Sequence, residues 1–388
     1  MAVDVNKIVD FEDIRPYKYE EMPQALAQLF AVPQFVALVK NYFPQVDIDS
    51  LTSGTVHFQS IGEMQKVVIL PLIDALLKQV GSSVTASGLE NIGKPALFVS
   101  NHRDIVMDPT LLQYVMLRHN FDSTEIAIGD NLLATDWIRM LVRINKCFVV
   151  HRGLTPRDMA RIFSQLSAYI RHAITDRHQS VWIAQREGRA KDSNDRTQES
   201  IIKMFALSGK HDLIANLRSL NIQPVSISYE YDPCDYLKAI EFQRRRDNAD
   251  YRKAPGEDVR SMQTGITGTK GRVHYTFTPS INPDLDHIAA TIKSRPEQVQ
   301  AICRLIDSRI HQSYVIYPIN RMAYSLLTGD RHIILADPQP ARDLALRYLD
   351  SRLALITDPA ADRDYLRQRL LEMYANPLIN HKQAAVRY

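Results

Sequence analysis

The spacing of hydrophobic and polar residues changes twice along this 388-residue chain. Within residues 1–81, apolar residues recur at helical spacing over Ala25–Tyr42 and Met64–Val80, which predicts an N-terminal helical region. Within residues 82–282, short apolar runs bounded by turn residues alternate with amphipathic segments. Helical spacing returns within residues 283–388. The pattern therefore predicts three parts: a helical region, an α/β domain and a C-terminal helical appendage.

The middle part has the alternation of strands and helices that is typical of an α/β domain. Such alternation predicts a largely parallel central sheet flanked by helices. The charged stretch Asp235–Arg260 is expected to cross the surface before a further strand at Arg272–Phe277. The earlier strands are predicted at Ala96–Ser100, Glu125–Ile128, Cys147–Val150, Ser180–Ala184 and Pro224–Ser228. Helices are predicted at Pro109–Arg118, Asn131–Ile144, Pro156–Thr175, Gln198–Leu207, Pro296–Tyr317, Pro340–Ile356 and Tyr365–Tyr374.

Composition and charge exclude several classes of protein. Lys and Arg total 47 against 44 Asp and Glu, which gives a formal charge of +3. A dedicated nucleic-acid-binding protein usually has a stronger basic excess, so no nucleic acid is expected as a partner. Cys147, Cys234 and Cys303 lie far apart and form no metal-binding or disulfide pattern, which favours a reducing compartment.

No segment of the N-terminal region has the composition of a spanning helix, which needs about 20 mostly apolar residues. Met22–Val39 lacks charge but contains two prolines and three glutamines. Val67–Leu77 is short and is interrupted by Pro71 and Asp74. Integral insertion is therefore not expected, and attachment to a membrane surface stays open.

The strongest candidate for chemistry is His102, in the segment VSNHRDIVMDP at residues 99–109. A predicted strand ends before it and a helix follows, which places it at the carboxyl edge of a parallel sheet, where α/β proteins build their sites. A histidine beside a carboxylate acts as a general base. Asp104 and Asp108 are both candidate partners, and Asp104 is also a candidate helix N-cap. The chain contains no Gly-x-Ser-x-Gly motif, so we expect the hydroxyl group to belong to the substrate.

A metal site is an alternative use of the same side chains. Its ligands would be His102, Asp104, Asp108 and His119. His119 lies at the far end of the predicted helix, and nothing else in the segment fits a ligand pattern. We therefore expect no metal.

Two further strands are predicted to end in basic residues at the same edge. Cys147–Val150 leads to His151 and Arg152, of which we expect only the arginine to contribute. Ser180–Ala184 leads to a loop with Gly188, which permits a sharp turn and the close approach of a ligand. Guanidinium groups in such a loop can grip a phosphate, although its acidic residues also fit a plain solvated loop. The basic residues of this loop are Arg186, Arg189, Lys191 and Arg196.

Taken in order, these blocks resemble those of the glycerolipid acyltransferase superfamily, which includes lysophosphatidate and glycerol-3-phosphate acyltransferases. The resemblance covers roughly residues 82–229. It departs from the family pattern in having five residues, not four, between His102 and Asp108, no threonine after Gly188, and Lys146 near the position of a glycine. The matching blocks are Asn101–His102 through Asp108–Pro109, Phe148 through Arg152, Glu187–Gly188–Arg189, and Gln223–Pro224–Val225.

The resemblance implies transfer of a fatty acyl group from acyl-CoA or acyl-carrier protein to a hydroxyl group of a glycerol-3-phosphate or lysophosphatidate acceptor. It implies that His102 deprotonates this hydroxyl, that Asp108 orients the ring with Asp104 as its rival, and that no metal or other cofactor is needed. Backbone N–H groups near the start of the following helix are expected to stabilise the oxyanion. The residues implied in substrate binding are Asn101, Arg103, Arg152, Glu187, Gly188 and Arg189, with Arg152 and Arg189 on the phosphate.

Two other functions stay open on the same fold. One is a lipid- or phosphate-binding protein without catalysis, which the extra residue before Asp108 favours. The other is an acyl-thioester hydrolase, in which water replaces the acceptor. If the substrate is a lipid, we expect a cytoplasmic protein that attaches peripherally to the inner face of the membrane, with the acyl donor, the acceptor and that surface as its partners.

Overall fold

A seven-stranded sheet forms the centre of the computed structural model. Its strands are β1 (Ser83–Ser87), β2 (Leu97–Ser100), β3 (Glu125–Gly129), β4 (Cys147–Val150), β5 (Val181–Ala184), β6 (Ile222–Tyr229) and β7 (Arg272–Phe277). The structure describes residues 10–42, 48, 58–133, 135–151, 155–209 and 211–386. The strand order is β1-β7-β6-β2-β5-β3-β4, and each neighbouring pair is parallel except β6 and β7. The predicted α/β class with a largely parallel sheet is confirmed.

The central strands are buried on both faces, which explains their continuous apolar sequences. All four residues of β2 and all eight of β6 are buried. Leu97 and Val99 join the core on one face of the sheet, and Phe98 joins the core on the other, as the alternation of a strand requires. β1 lies at an edge, where exposed and half-buried residues alternate. β1 is not predicted from the sequence, because its short polar sequence lacks the apolar run that is typical of a buried strand.

Helices cover the sheet and extend the chain at both ends. The N-terminal helices are α1 (Met22–Phe30), α2 (Pro33–Tyr42) and α3 (Leu70–Gln79), with one turn at Ile61–Met64 and a π-helical segment at Gln65–Ile69 leading into α3. The helices among the strands are α4 (Met107–Arg118), α5 (Asp136–Ile144), α6 (Pro156–Arg171), α7 (Glu199–Phe205), α8 (Leu213–Arg218), α9 (Asp235–Asp247) and α10 (Glu257–Thr267). The C-terminal helices are α11 (Asn282–Thr291), α12 (Arg295–Gln312), α13 (Pro318–Thr328), α14 (Gln339–Ala354) and α15 (Arg363–Val386).

The N-terminal helices pack around a small core of their own. Met22 and Leu29 of α1 and Phe35 of α2 meet Ile144 at the end of α5. Among the described residues no single helix is long and apolar enough to cross a membrane. The segments Tyr19–Phe30 and Pro33–Asn41 reach that length and composition only when they are counted together across a bend of 82°.

The charged stretch at residues 235–260, which was expected to cross the surface, is largely helical. It contains all of α9 and the beginning of α10. Ala239 of α9 is buried in an apolar cluster with α15. The successive arginines Arg244, Arg245 and Arg246 are each paired with acidic side chains. These arginines therefore do not form an unpaired basic patch.

Among the C-terminal helices, α11 and α12 pack into the core on one face of the sheet. Ile302, Ile306 and Ile310 of α12 lie in the same core as Leu97 and Val99 of β2. α13, α14 and α15 pack on one another in a separate core. Polar residues at the end of α12 consequently lie close to the carboxyl ends of the central strands.

The strand order brings three loops to one edge of the sheet. β2 lies between β5 and β6, and the three strands run in the same direction. The segments that follow them therefore meet at the carboxyl edge. We call residues 101–106, after β2, the base loop, and residues 185–198, after β5, the anion loop.

Gly265→Ala tests how closely α10 packs on the base loop. A Cβ at this position would overlap the carboxylate of Asp104, so the loop or the helix would have to shift. Overpacking of this kind costs about 1–3 kcal/mol, and we expect a lower Tm in thermal denaturation. Gly62→Ala is the control, because its Cβ would lie 3.8 Å from Ser60 Oγ, an ordinary contact. A Tm that is equally unchanged in both variants would contradict the packing described here.

Candidate active site

His102 and Asp108 are joined by a hydrogen bond at the carboxyl end of β2. Nδ1 of His102 lies 2.7 Å from Oδ2 of Asp108. The His102 side chain is 14% exposed, whereas Asp108 is fully buried. Because the carboxylate occupies Nδ1, Nε2 is the ring nitrogen that can meet a substrate, which is the orientation of a general base.

Asp108 is held in its charged form by the base loop. Its Oδ2 also accepts hydrogen bonds from the backbone N–H groups of Arg103, at 2.5 Å, and Asp104, at 3.0 Å. Burial raises the pKa of Asp108, but the interactions with His102 and the two N–H groups outweigh burial and hold the pKa below its usual value. An anionic Asp108 fixes the ring tautomer and stabilises an imidazolium.

Asp104, the rival partner, accepts backbone hydrogen bonds at the start of helix α4. Its Oδ1 accepts hydrogen bonds from the N–H groups of Val106, at 2.9 Å, and Met107, at 2.8 Å. Burial and the charge of Asp108 raise the pKa of Asp104. The two neighbouring carboxyl groups are therefore shifted in opposite directions, and it is Asp108 that bonds the His102 ring.

The same hydrogen bonds correct the expected oxyanion site. The N–H groups of Arg103 and Asp104 donate to Asp108. Those of Val106 and Met107 donate to Asp104. Because these donors at the start of α4 already have carboxylate partners, an oxyanion would have to be stabilised by other groups.

Two aromatic residues contact the pair of His102 and Asp108. Trp182 of β5 meets the ring edge to face, with centroids 5.7 Å apart, and its Nε1 donates to Ser100 Oγ at 3.0 Å. Tyr275 of β7 donates from its hydroxyl group to the backbone oxygen of Asp108 at 2.7 Å. Sequence reasoning missed both residues, because nothing in an apolar strand distinguishes them from other aromatic residues of the core.

Asn101 and Arg103 face inward, which corrects the expectation that their side chains contact substrate. The buried amide of Asn101 donates to and accepts from the backbone of Ile227 in β6, at 2.8 Å in each case. Arg103 is 5% exposed; its Nη1 donates to Oδ1 of Asp195 at 3.0 Å, and its Nη2 lies 2.7 Å from Oδ2. Burial lowers the pKa of Arg103, but Asp195 outweighs burial and raises it.

The anion loop brings Arg189 to the end of the sheet that holds His102. Gly188 has φ of +67°, a left-handed conformation that glycine adopts readily. Glu187 and Gly188 are exposed, and the N–H of Glu187 donates to Gln198 at 2.8 Å. The charge of Arg189 acts on the carboxyl group of Asp104, at the start of α4.

Arg189 also retains a donor for an anion. Its Nη1 is buried and has no hydrogen-bond partner in the described part of the chain. Nε of Arg186, in the same loop, is also buried and also has no hydrogen-bond partner among the described residues. A buried guanidinium N–H without an acceptor is unfavourable, and a phosphate oxygen would satisfy it.

The remaining candidates lie away from this arrangement or outside the described residues. Arg152 lies outside them, and its role stays a prediction. His151 is half-buried between Asp130, 3.2 Å from Nδ1, and Asp13, 3.6 Å from Nε2. His119 follows the last residue of α4, at the other end of that helix. Among the described residues, no group of three or more His, Cys, Asp or Glu side chains is arranged to hold a metal ion.

Comparison with known proteins gives one family. Residues 83–228, from β1 into β6, match the family model described as Acyltransferase. The chain is also similar to the crystal structure of the 1-acyl-sn-glycerophosphate (LPA) acyltransferase PlsC from Thermotoga maritima, with 14% identity over 75% of this chain and 97% of that chain and a TM-score of 0.38. The signal recognition particle 54 kDa protein from Aeropyrum pernix K1 is similar at 12% identity over 95% and 93% of the two chains, with a TM-score of 0.21. Both TM-scores are too low to support an argument, and no curated protein matches the sequence.

Asp108→Asn and Asp104→Asn distinguish the two carboxyl groups. Asp108→Asn removes the charge that holds the proton on Nδ1 of His102, so nitrogen NMR of the ring should show loss of the Nδ1–H tautomer. Asp104→Asn retains an oxygen that can accept from Val106 and Met107, and the His102 signals should persist. Equal effects, or a larger effect of Asp104→Asn, would contradict the pairing of His102 with Asp108.

Proposed function

Since this chain belongs to the glycerolipid acyltransferase superfamily through its acyltransferase domain at residues 83–228, we propose that it transfers a fatty acyl group from acyl-CoA or acyl-carrier protein to a hydroxyl group of a phosphate-bearing acceptor. The acceptor is glycerol-3-phosphate or a lysophosphatidate. The observation that carries the proposal is the hydrogen bond between His102 and Asp108 inside the matched domain. It supplies a general base without supplying a nucleophile.

In the proposed reaction, His102 activates the acceptor. Nε2 takes the proton of the acceptor hydroxyl group, and the developing alkoxide attacks the carbonyl carbon of the thioester. A C–O bond forms, the tetrahedral intermediate collapses, and the C–S bond breaks. The leaving thiolate takes the proton back from the imidazolium. Asp108 stabilises the imidazolium between the two proton transfers, and no acyl-enzyme is formed.

Arg189 provides the proposed recognition of the acceptor phosphate. Its unsatisfied Nη1 and its position near the start of α4 support this role. The open space around Gly188 supports the approach of a ligand to the backbone of the anion loop. Apart from the two adjoining residues, no other part of the chain lies within 4 Å of the place that a side chain would occupy at Gly188. Glu187, exposed beside Gly188, shapes the same approach, and Arg152 is proposed as a second phosphate ligand.

We also propose that the protein works peripherally at the cytoplasmic face of the membrane. A lysophosphatidate acceptor lies in a lipid leaflet, so the enzyme has to meet that surface. Cosedimentation with vesicles that contain lysophosphatidate should exceed cosedimentation with pure phosphatidylcholine vesicles. Equal recovery with both would remove the support for this location.

His102→Ala should reduce acyl transfer by about 10²–10⁴-fold, because it removes the general base. The assay follows labelled acyl-CoA or acyl-carrier protein into products with glycerol-3-phosphate, lysophosphatidate and other lysolipids. Retained turnover in folded His102→Ala would contradict the proposed base. Labelled free fatty acid without an acceptor would favour a thioester hydrolase, and acceptor binding without any turnover would favour a binding protein.

Arg189→Ala should raise the KM for a phosphate-bearing acceptor by about 10-fold or more, because a hydrogen bond to a charged group contributes about 1.5–3 kcal/mol. The KM for a monoacylglycerol, which lacks the phosphate, should stay the same. Arg196→Ala is the matched control, since the exposed Arg196 of the same loop bonds Asn380 at 3.2 Å. A similar change in KM for both acceptors would show that Arg189 does not recognise phosphate.

A further inference from the structure

We propose that the buried ion pair of Arg103 and Asp195 fixes the base loop against the anion loop and thereby positions His102 and Asp108. Arg103 and Asp195 are then positioning residues, which act on the reaction through other groups. The inference rests on the proposed function for its kinetic consequence. Its structural consequence, the orientation of the His102 ring, can be measured without any substrate.

The main chain of Arg103 is tied at both of its polar groups. Its N–H donates to Oδ2 of Asp108 at 2.5 Å, and its carbonyl oxygen accepts from Nζ of Lys238 at 2.8 Å. Lys238, in α9, is buried and forms an ion pair with Asp232. A displacement of residue 103 would therefore disturb the same carboxylate oxygen that accepts from His102.

The side chain of Arg103 reaches from the base loop to the anion loop. Its Nη1 donates to Oδ1 of Asp195, and its Nη2 forms an ion-pair contact with Oδ2. Asp195 is fully buried and lies six residues beyond Arg189. Contact between two planar groups through both nitrogen–oxygen pairs fixes orientation as well as distance. The pair thus relates the loop that carries the base to the loop that carries the proposed phosphate ligand.

Asp195 is in turn attached to the C-terminal helices. The hydroxyl group of Tyr314, just after α12, donates to its carboxylate. Nε2 of His311, in α12, lies 2.9 Å from its backbone oxygen. The N–H and the hydroxyl group of Thr197 donate to Asp307 of α12, at 2.7 and 2.6 Å. The anion loop is therefore held by a helix from outside the residues that match the family.

The ion pair of Arg103 and Asp195 is expected to contribute more to the position of the two loops than to the free energy of unfolding. Desolvation offsets much of the attraction between two buried charges, so a buried ion pair contributes little net stability. Removing one partner nevertheless leaves the other charge buried and alone, which is destabilising. A test has to separate a loss of folded protein from a loss of orientation.

Glu125 offers a matched control at the opposite edge of the sheet. This buried carboxylate, at the start of β3, accepts hydrogen bonds from the hydroxyl group of Tyr169 at 2.6 Å and from Nη2 of Arg177 at 2.9 Å. It has the same partners, an arginine and a tyrosine, as Asp195. Glu125 begins β3, whereas His102 follows the end of β2. Because β2 and β3 both run parallel to β5, the two residues lie at opposite edges of the sheet.

The experiment compares Asp195→Asn with Glu125→Gln in the full chain. Each variant is measured for its Tm, for kcat per folded molecule with the acceptor that the wild type uses, and for the His102 ring tautomer by nitrogen NMR. We expect both to lower the Tm, and only Asp195→Asn to lower kcat, by about 10²-fold, and to weaken the Nδ1–H signal of His102. If Asp195→Asn does not fold, Arg103→Lys, which keeps the charge but loses the bidentate geometry, replaces it with the same expectation.

The outcomes separate this inference from the proposed function. Equal loss of kcat in both variants, or unchanged kcat and His102 signals in Asp195→Asn, would overturn the positioning role. If the wild type transfers no acyl group, the proposed function fails, and the NMR comparison alone decides. A His102 signal altered by Asp195→Asn and not by Glu125→Gln would still establish that the ion pair orients the ring.

Discussion

The structure around His102 depends on one buried carboxylate. The side chain of Asp108 is fully buried, and a buried charge is tolerated only when it is paired and hydrogen-bonded. Its Oδ2 obtains three donors: the His102 ring and two consecutive backbone N–H groups. The base loop folds around this oxygen, and α4 begins where the loop ends. Ring orientation, loop conformation and the start of the helix therefore share one electrostatic requirement.

That requirement extends beyond the residues that match the family. Tyr275, Lys238 and the Arg103–Asp195 pair each attach the base loop or Asp108 to a different element. These elements are β7, α9 and the end of the anion loop, which α12 holds in place. Residues after 228 thus contribute to the geometry of this site, although His102 and Asp108 themselves lie within the matched residues 83–228. This arrangement assigns the C-terminal helices a role that their sequence does not suggest.

Local signals in the sequence predicted the central features. The apolar run of β2 and the helical pattern after it placed His102 at the carboxyl edge, and family order indicated Asp108 in spite of the additional residue in the loop. Asp104, inside this loop, accepts hydrogen bonds from the N–H groups of Val106 and Met107. Lys146, near the position of a family glycine, has φ of +61°, a left-handed conformation that glycine adopts more readily than lysine.

Long-range partners were not predictable in the same way. Asn101 bonds Ile227 and Arg103 bonds Asp195, partners that lie 126 and 92 positions away in sequence. A polar residue beside a candidate base has the same local pattern whether it faces the substrate or the interior. The inward direction of both side chains follows only from the packing of β6 and the anion loop against β2.

The most direct test of the central claim is the release of thiol from acyl-CoA or acyl-carrier protein, followed with and without acceptor. If His102 activates an acceptor hydroxyl group for direct attack, thiol release requires the acceptor and equals the acylated product formed. A burst of thiol before acceptor is added, or steady release without it, would contradict direct transfer to an acceptor.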